Sequence, residues 1–177
     1  ENTMQSFALV RGDKAEDGSW SWTPVIGDTE NDGARYTFGI DPERTRSGAG
    51  VLQVYNGYLY IGEYNDEEIA LGNVLKHTNF DFMNENLRQS VNLYRMDADE
   101  NIELVVGDAT EMFPNGGISG IGSGFGRNEN QYIWRMTEYN GKLCIGTFDT
   151  SSLLEPVGQF ANGDILNMTP EEWARLI

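Results

Sequence analysis

Tyr55-Asn56-Gly57-Tyr58-Leu59-Tyr60-Ile61-Gly62 and Tyr139-Asn140-Gly141-Lys142-Leu143-Cys144-Ile145-Gly146 are the stretches whose reading decides the fold of this chain. Each sets Asn-Gly between two strand-like runs. Val51-Leu52-Gln53-Val54-Tyr55 leads into the first, and Ile133-Trp134-Arg135-Met136-Thr137-Glu138-Tyr139 into the second. Asn and Gly tolerate the positive φ angles that a two-residue type I′ turn demands, so both stretches read as tight β-hairpins. Two more hairpins lie outward from them. One joins Phe7-Ala8-Leu9-Val10 to Trp20-Ser21-Trp22-Thr23-Pro24-Val25-Ile26 across the Gly- and Asp-rich residues 12–19. The other joins Val91-Asn92-Leu93-Tyr94-Arg95-Met96 to Ile102-Glu103-Leu104-Val105-Val106 across an acidic tip at residues 97–101.

The hairpins repeat. Val25-Ile26-Gly27-Asp28 matches Val105-Val106-Gly107-Asp108, and the two Tyr-Asn-Gly stretches align Tyr55 with Tyr139 at nearly the same spacing. Phe38-Gly39 and Phe125-Gly126 stand at comparable places before the Asn-Gly hairpins. Repeated four-stranded units point to the blades of a β-propeller. The expected fold is therefore all-β: a β-propeller segment of about two blades' worth of four-stranded antiparallel sheet. It is split across three blades, with small helical insertions and a C-terminal helix. Residues 1–177 form one segment in this reading. Residues 1–28 supply the outer strand pair of a first blade, and 29–108 a complete blade with a partly helical insertion at 66–89. Residues 109–150 supply the inner pair of a third blade, and 151–177 a loop and helix. The helix start is written as Thr169 at the N-cap, Pro170 at the first position and Glu172 closing a capping box.

Composition bounds the function. The 28 Asp+Glu against 12 Lys+Arg give a net charge of −16. That balance argues against a nucleic-acid partner, whose phosphates need clustered Lys and Arg, and against an anionic membrane surface. No apolar run approaches the roughly 20 residues of a membrane-spanning helix. One Cys and one His leave no disulfide framework and no Cys-based zinc site. The chain starts at Glu1 without a basic, apolar leader, so that any signal peptide has been removed or the chain is an excerpt of a longer one; its stop at Ile177 without a C-cap favours an excerpt of a longer propeller. A multi-chain ring is the other possibility, in which symmetry-related copies supply the remaining blades.

The segment from Gly124-Phe125-Gly126 through Tyr132-Ile133-Trp134-Arg135-Met136 and Tyr139-Asn140-Gly141 to Gly146-Thr147-Phe148-Asp149 resembles the repeat of bacterial β-propeller proteins. The likeness is to uncharacterised secreted propellers of gut and rumen clostridia, broadly kelch-like in hairpin placement, and covers roughly residues 7–149. It implies a secreted or cell-surface bacterial protein. The Gly-Gly pair of kelch blades is missing, Glu63-Tyr64 and Thr147-Phe148 standing in its place. A single His77 and a single Cys144 cannot assemble the copper-ligand set of galactose-oxidase-like propellers. The resemblance therefore implies the fold and no catalytic residue.

The candidate site residues follow the second strand of each Asn-Gly hairpin, where a propeller gathers its loops at one face. Tyr64, Phe148 and Trp134, with Tyr132 and Phe125 nearby and Arg127 and Arg135 as donors, suit stacking and hydrogen bonding to a sugar. Packing between strands is the competing reading, favoured for Trp134 because it lies within a strand. Glu63 and Asp149 occupy comparable positions and are the candidate acids for glycosidic chemistry. Glu63, Asp66 and Glu67 form an acidic cluster that could hold Ca²⁺ through oxygen ligands; a solvated rim competes. No other cofactor is expected. The tip at residues 97–101 imitates a calcium loop, but its sixth position is Ile102 where a Gly is needed, so a hairpin tip is expected. Cys144 reads as a small buried thiol, and Arg44 and Arg46 as a solvated loop. The resulting expectation is a non-catalytic ligand-binding module whose first ligand is carbohydrate. The alternatives are a glycan-active hydrolase or lyase, and a protein–protein interaction scaffold.

Overall fold

In the computed structural model, residues 6–44, 47–65 and 89–149 are described, together with Thr169 and Glu171. The helical insertion expected at 66–89 (Gln89 apart) lies outside the described residues, as do Arg46, Asp66, Glu67 and His77. So does the C-terminal helix, apart from Thr169 and Glu171.

Nine strands are described: β1 (Leu9–Lys14), β2 (Trp20–Gly27), β3 (Tyr36–Thr37), β4 (Ser47–Tyr55), β5 (Tyr58–Asn65), β6 (Leu93–Met96), β7 (Ile102–Val106), β8 (Asn130–Tyr139) and β9 (Lys142–Asp149). The described elements are all-β apart from a single 3-10 turn at Ser123–Phe125, and their pairing is almost wholly antiparallel. Both Asn-Gly turns form as expected, with φ of 48° and 79° at Asn56-Gly57 and 50° and 68° at Asn140-Gly141. The acidic tip is a hairpin tip. One Asp97 carboxylate oxygen accepts the Asp99 and Asn101 amides at 2.9 and 2.8 Å, closing the turn from inside.

Strands β4-β5-β6-β7 pair antiparallel in sequence order, as the four-stranded central part of a six-stranded sheet that β8 and β9 join through β5. On one face Ile61, Tyr94 and Leu104 pack against Phe7, Val25 and Ile26 of the β1–β2 layer. On the other, Tyr60, Leu93 and Val106 pack against Ile133 and Met136 of the β8–β9 hairpin, with Leu143 and Ile145 beside them. The result is three stacked layers with two apolar seams. Fully burying an Ile or Leu side chain contributes about 1.5–3 kcal/mol, so these seams are the main driving force for stacking.

The repeat is written into the pairing registers. The ladder slips between Ala49 and Val51, opposite Glu63 and Gly62, and slips again between Ile133 and Arg135, opposite Thr147 and Gly146. All four positions are related by the spacing that separates Tyr55 from Tyr139. In the outer hairpins the slip falls between Leu9 and Val10 and between Leu93 and Tyr94, again at that spacing. A bulge changes twist locally and is a built feature of a sheet, so matched bulges mark matched units.

Two features depart from the sequence reading. The first layer has three strands, because Tyr36 and Thr37 pair in parallel with Ile26 and Gly27. The β8–β9 hairpin also shares a bridge with the central sheet, Tyr64↔Tyr132, which ties the third layer to the second. The long connection after β7 is ordered by pairing: Ile118 and Ser119 donate to the Leu104 and Val105 carbonyls at 2.9 and 3.1 Å. That segment covers the outer edge of β7, which would otherwise present unpaired backbone groups.

Candidate functional site

At the seam between the second and third layers the sheet surface is cut away by glycines. A Cβ on Gly48 would meet the Tyr64 ring at 2.0 Å, so only Gly lets that ring lie flat across β4. A Cβ on Gly50 would sit 3.0 Å from the Ile133 carbonyl, and one on Gly62 2.7 Å from the Ile133 side chain. These two glycines let β8 approach the sheet closely. The turns of the two hairpins also touch, with the Tyr55 hydroxyl donating to the Gly141 carbonyl at 2.6 Å.

A cluster of four aromatic rings results. Tyr64 stacks on Tyr132 with centroids 5.6 Å apart and planes at 12°. Tyr132 meets Trp134 at 6.1 Å and Phe148 at 5.8 Å edge-on, and Trp134 lies 6.0 Å from Phe148. Ala49, Gly50, Tyr64, Tyr132, Trp134 and Arg135 line an open groove of about 370 Å³ beside it, with Ile133 at its floor. Five of the residues singled out from sequence, Tyr64, Tyr132, Trp134, Phe148 and Arg135, are thus brought together. Trp134 is 60% exposed and Phe148 37%. The expectation that Trp134 packs in the core is corrected: its neighbours Ile133 and Met136 turn inward, and the bulge at Ile133–Arg135 leaves the indole on the open side. Arg127 stands apart from the groove lining and pairs with Asp149 at 2.7 Å.

The acids lie in different surroundings. Glu63 is completely buried. Its carboxylate takes the Arg44 guanidinium at 2.6 and 3.3 Å and the Asn92 amide at 2.8 Å, while Arg44 also donates to the Ser90 carbonyl at 2.5 Å. Burial works against the Arg44 charge, but the facing carboxylate outweighs it and holds the guanidinium above its ordinary pKa. Burial, reinforced by Glu63, pushes the Tyr94 hydroxyl well above its usual value, and it accepts the Asn92 side-chain amide at 3.1 Å. Arg44 is therefore no solvated loop residue. It ties the connection before β4 to β5 and to the segment before β6. Asp149 is partly exposed, at the far end of β9 from the turn, beside Arg127. Among the described residues no group of three or more Cys, His, Asp or Glu side chains is set to share a metal.

Cys144 is exposed rather than buried: Leu143 and Ile145 turn toward the central sheet, and the alternating Cys144 faces away from it, where no further layer lies among the described residues. The sequence reading missed the glycines that shape the groove. A Gly-x-Gly inside a strand run, Gly48-Ala49-Gly50, is the signal for close approach of another backbone. It also missed a second aromatic surface: Trp20 and Trp22 on β2, stacked at 5.5 Å and 14°, with Trp22 lying over Gly12. No helix among the described residues is long and apolar enough to cross a membrane. Searches against protein-family models, curated proteins and solved structures find nothing that matches this chain.

Proposed function

We propose that this chain is a non-catalytic, ligand-binding segment of an exported bacterial β-propeller, and that its ligand is a carbohydrate. The observation that carries the ligand is the open groove beside Tyr64, Tyr132, Trp134 and Phe148, with Arg135 on its lining. A pyranose ring has an apolar face of C–H groups and a rim of hydroxyls. It stacks on exposed aromatic faces while a guanidinium donates to its oxygens. Among the described residues the lining holds no carboxylate, which supports binding over glycosidic cleavage at this groove. In a chain of charge −16, a groove whose described lining carries an arginine and no acid also suits a neutral or acidic glycan better than a cationic ligand. The propeller part of the proposal draws support from stacked antiparallel layers with matched registers, and export from the sequence resemblance.

Affinity electrophoresis of the full chain through gels containing soluble plant or bacterial polysaccharides tests it. At least one polysaccharide is expected to retard the protein, with Trp134→Ala weakening binding by about tenfold or more (about 1.4 kcal/mol). Tyr139→Ala, an equally exposed aromatic at the turn, is expected to bind as the parent does. No retardation by any glycan, or unchanged binding in Trp134→Ala, overturns the assignment.

A further inference from the structure

We propose that the open edge of β9 is completed by a second copy of this chain, whose β1 adds antiparallel to it with Val10 opposite Ile145 and Arg11 opposite Cys144. The inference is independent of the carbohydrate reading. In the central sheet β5 is flanked by β4 on one side and β6 on the other. Its counterpart in the second copy of the repeat, β9, has β8 alone among the described residues and ends the described sheet. The counterpart of β6 is β1, matched in its bulge and in Leu9-Val10-Arg11 against Leu93-Tyr94-Arg95. β1 is likewise an edge among the described residues, open on the side where β6 meets β5. One chain therefore presents both an acceptor edge and the strand type that fits it.

The residues on these edges are of interior type but lie in the open. Leu143-Cys144-Ile145-Gly146 repeats Leu59-Tyr60-Ile61-Gly62. Yet Gly62 is buried and Gly146 exposed, and Ile61 is buried where Ile145 is only half-buried. On the donor side Tyr94 is fully buried while its counterpart Val10 is 49% exposed. The observed pairs Leu59↔Met96, Tyr60↔Arg95, Ile61↔Tyr94 and Gly62↔Leu93 set the register. Moved by the repeat spacing, forward on the acceptor and back on the donor, they become Leu143↔Gly12, Cys144↔Arg11, Ile145↔Val10 and Gly146↔Leu9.

Directly opposite residues share a face, so Val10 of the donor falls on the Ile145 side, which faces the central sheet. Trp22 and Trp20 lie on that same face of the donated hairpin, through Gly12↔Trp22 and Lys14↔Trp20. Their indoles, 64% and 54% exposed in the single chain, would be covered by the acceptor's β6–β7 surface. The donor must be another molecule. Within one chain the β1–β2 and β8–β9 layers lie on opposite faces of the central sheet, about two sheet spacings or roughly 20 Å apart. Such a contact is heterologous, so copies form a closed ring or an open chain.

Disulfide trapping tests the register, because Cys144 is the sole cysteine and is exposed. In the full chain, Arg11→Cys is expected to give an intermolecular disulfide under mild oxidation, visible on a non-reducing gel and lost in Arg11→Cys/Cys144→Ser. Lys14→Cys places the thiol about 10 Å out of register along the strand, beyond the roughly 7 Å Cα separation a disulfide spans. It is expected to cross-link at a small fraction of that yield. Independently of folding at the variant site, the unaltered chain is expected to exceed its 19.8 kDa monomer mass by light scattering, with blue-shifted tryptophan emission on association. Val10→Glu is expected to return it to monomer. A parent chain that stays monomeric at high concentration, or equal cross-linking by Lys14→Cys and Arg11→Cys, overturns the proposal.

Discussion

Replacing Arg44 with Met leaves the Glu63 carboxylate fully buried with the Asn92 amide as its remaining donor. Removing one member of a buried ion pair costs about 3–5 kcal/mol, because the other charge is left uncompensated in a low dielectric. The Ser90 carbonyl also loses its 2.5 Å donor, which falls within the same range of loss. For a chain of this size roughly 2–4 °C of melting temperature accompanies each kcal/mol, so Arg44→Met is expected to melt about 6–20 °C lower. Glu63→Gln alone is expected to be comparably damaging, since it strands the Arg44 charge. The double variant Arg44→Met/Glu63→Gln removes both charges, and the new amide oxygen still accepts from Asn92. It is expected to recover about 2 kcal/mol relative to either single variant. Urea unfolding of the four proteins closes the cycle. A loss below about 1 kcal/mol for Arg44→Met, the value of an exposed pair, would refute the assignment of a structural buried pair. A catalytic Glu63 predicts the opposite pattern, with activity lost in Glu63→Gln and stability kept.

Two further outcomes follow from the same geometry. Gly48→Ala puts a methyl 2.0 Å from the Tyr64 ring, so the ring must leave its stack on Tyr132; a destabilisation of about 1–3 kcal/mol and weakened glycan retardation are expected, and parent-like behaviour in both would be inconsistent with the groove's construction. The Asp97, Asp28 and Asp17 carboxylates are held below their usual range, first by the Asn101 side chain, the Asn31 side chain and the Ser19 hydroxyl respectively. A carboxylate with a lowered folded-state pKa stabilises the fold above its unfolded value near 4, and that contribution is lost as pH falls through the folded value. The melting temperature is therefore expected to fall with acidification below about pH 4, and a rise there would contradict the turn assignment.

The turns and the repeat were readable from sequence because their physics is local. Asn56-Gly57 and Asn140-Gly141 fix positive φ in place, and Asp97 closes its own tip through backbone amides one turn away. Burial was less readable, because it depends on what comes to lie against each face of a strand. Leu59-Tyr60-Ile61 and Leu143-Cys144-Ile145 look alike as patterns, yet among the described residues the first has a layer against each face and the second against one. The thiol of Cys144 is exposed because it lies on the uncovered face. Arg44 was misread on the same ground: its partner Glu63 lies 19 residues away, and only the meeting of a loop with a strand turns two charges into a buried pair. The parallel pairing of Tyr36 and Thr37 with β2 left no trace in a two-residue strand.

The groove arises from asymmetry between the two copies of the repeat. The cross-strand pair Gly48↔Tyr64 of the first copy corresponds to Tyr132↔Phe148 of the second. Gly50 likewise corresponds to Trp134. In the first copy the small residues open a notch into which Tyr64 folds and against which β8 can close. In the second the same positions carry the aromatic rings that stand over the notch. A strict repeat could not build this. Glycine in both copies would leave no rings, and aromatics in both would block the approach of β8 at Gly50, where Ile133 already lies within 3.0 Å of a Cβ. Equivalent backbone positions have thus diverged into floor and wall, and this supports reading Gly48 and Gly50, together with Trp134, as residues of the site.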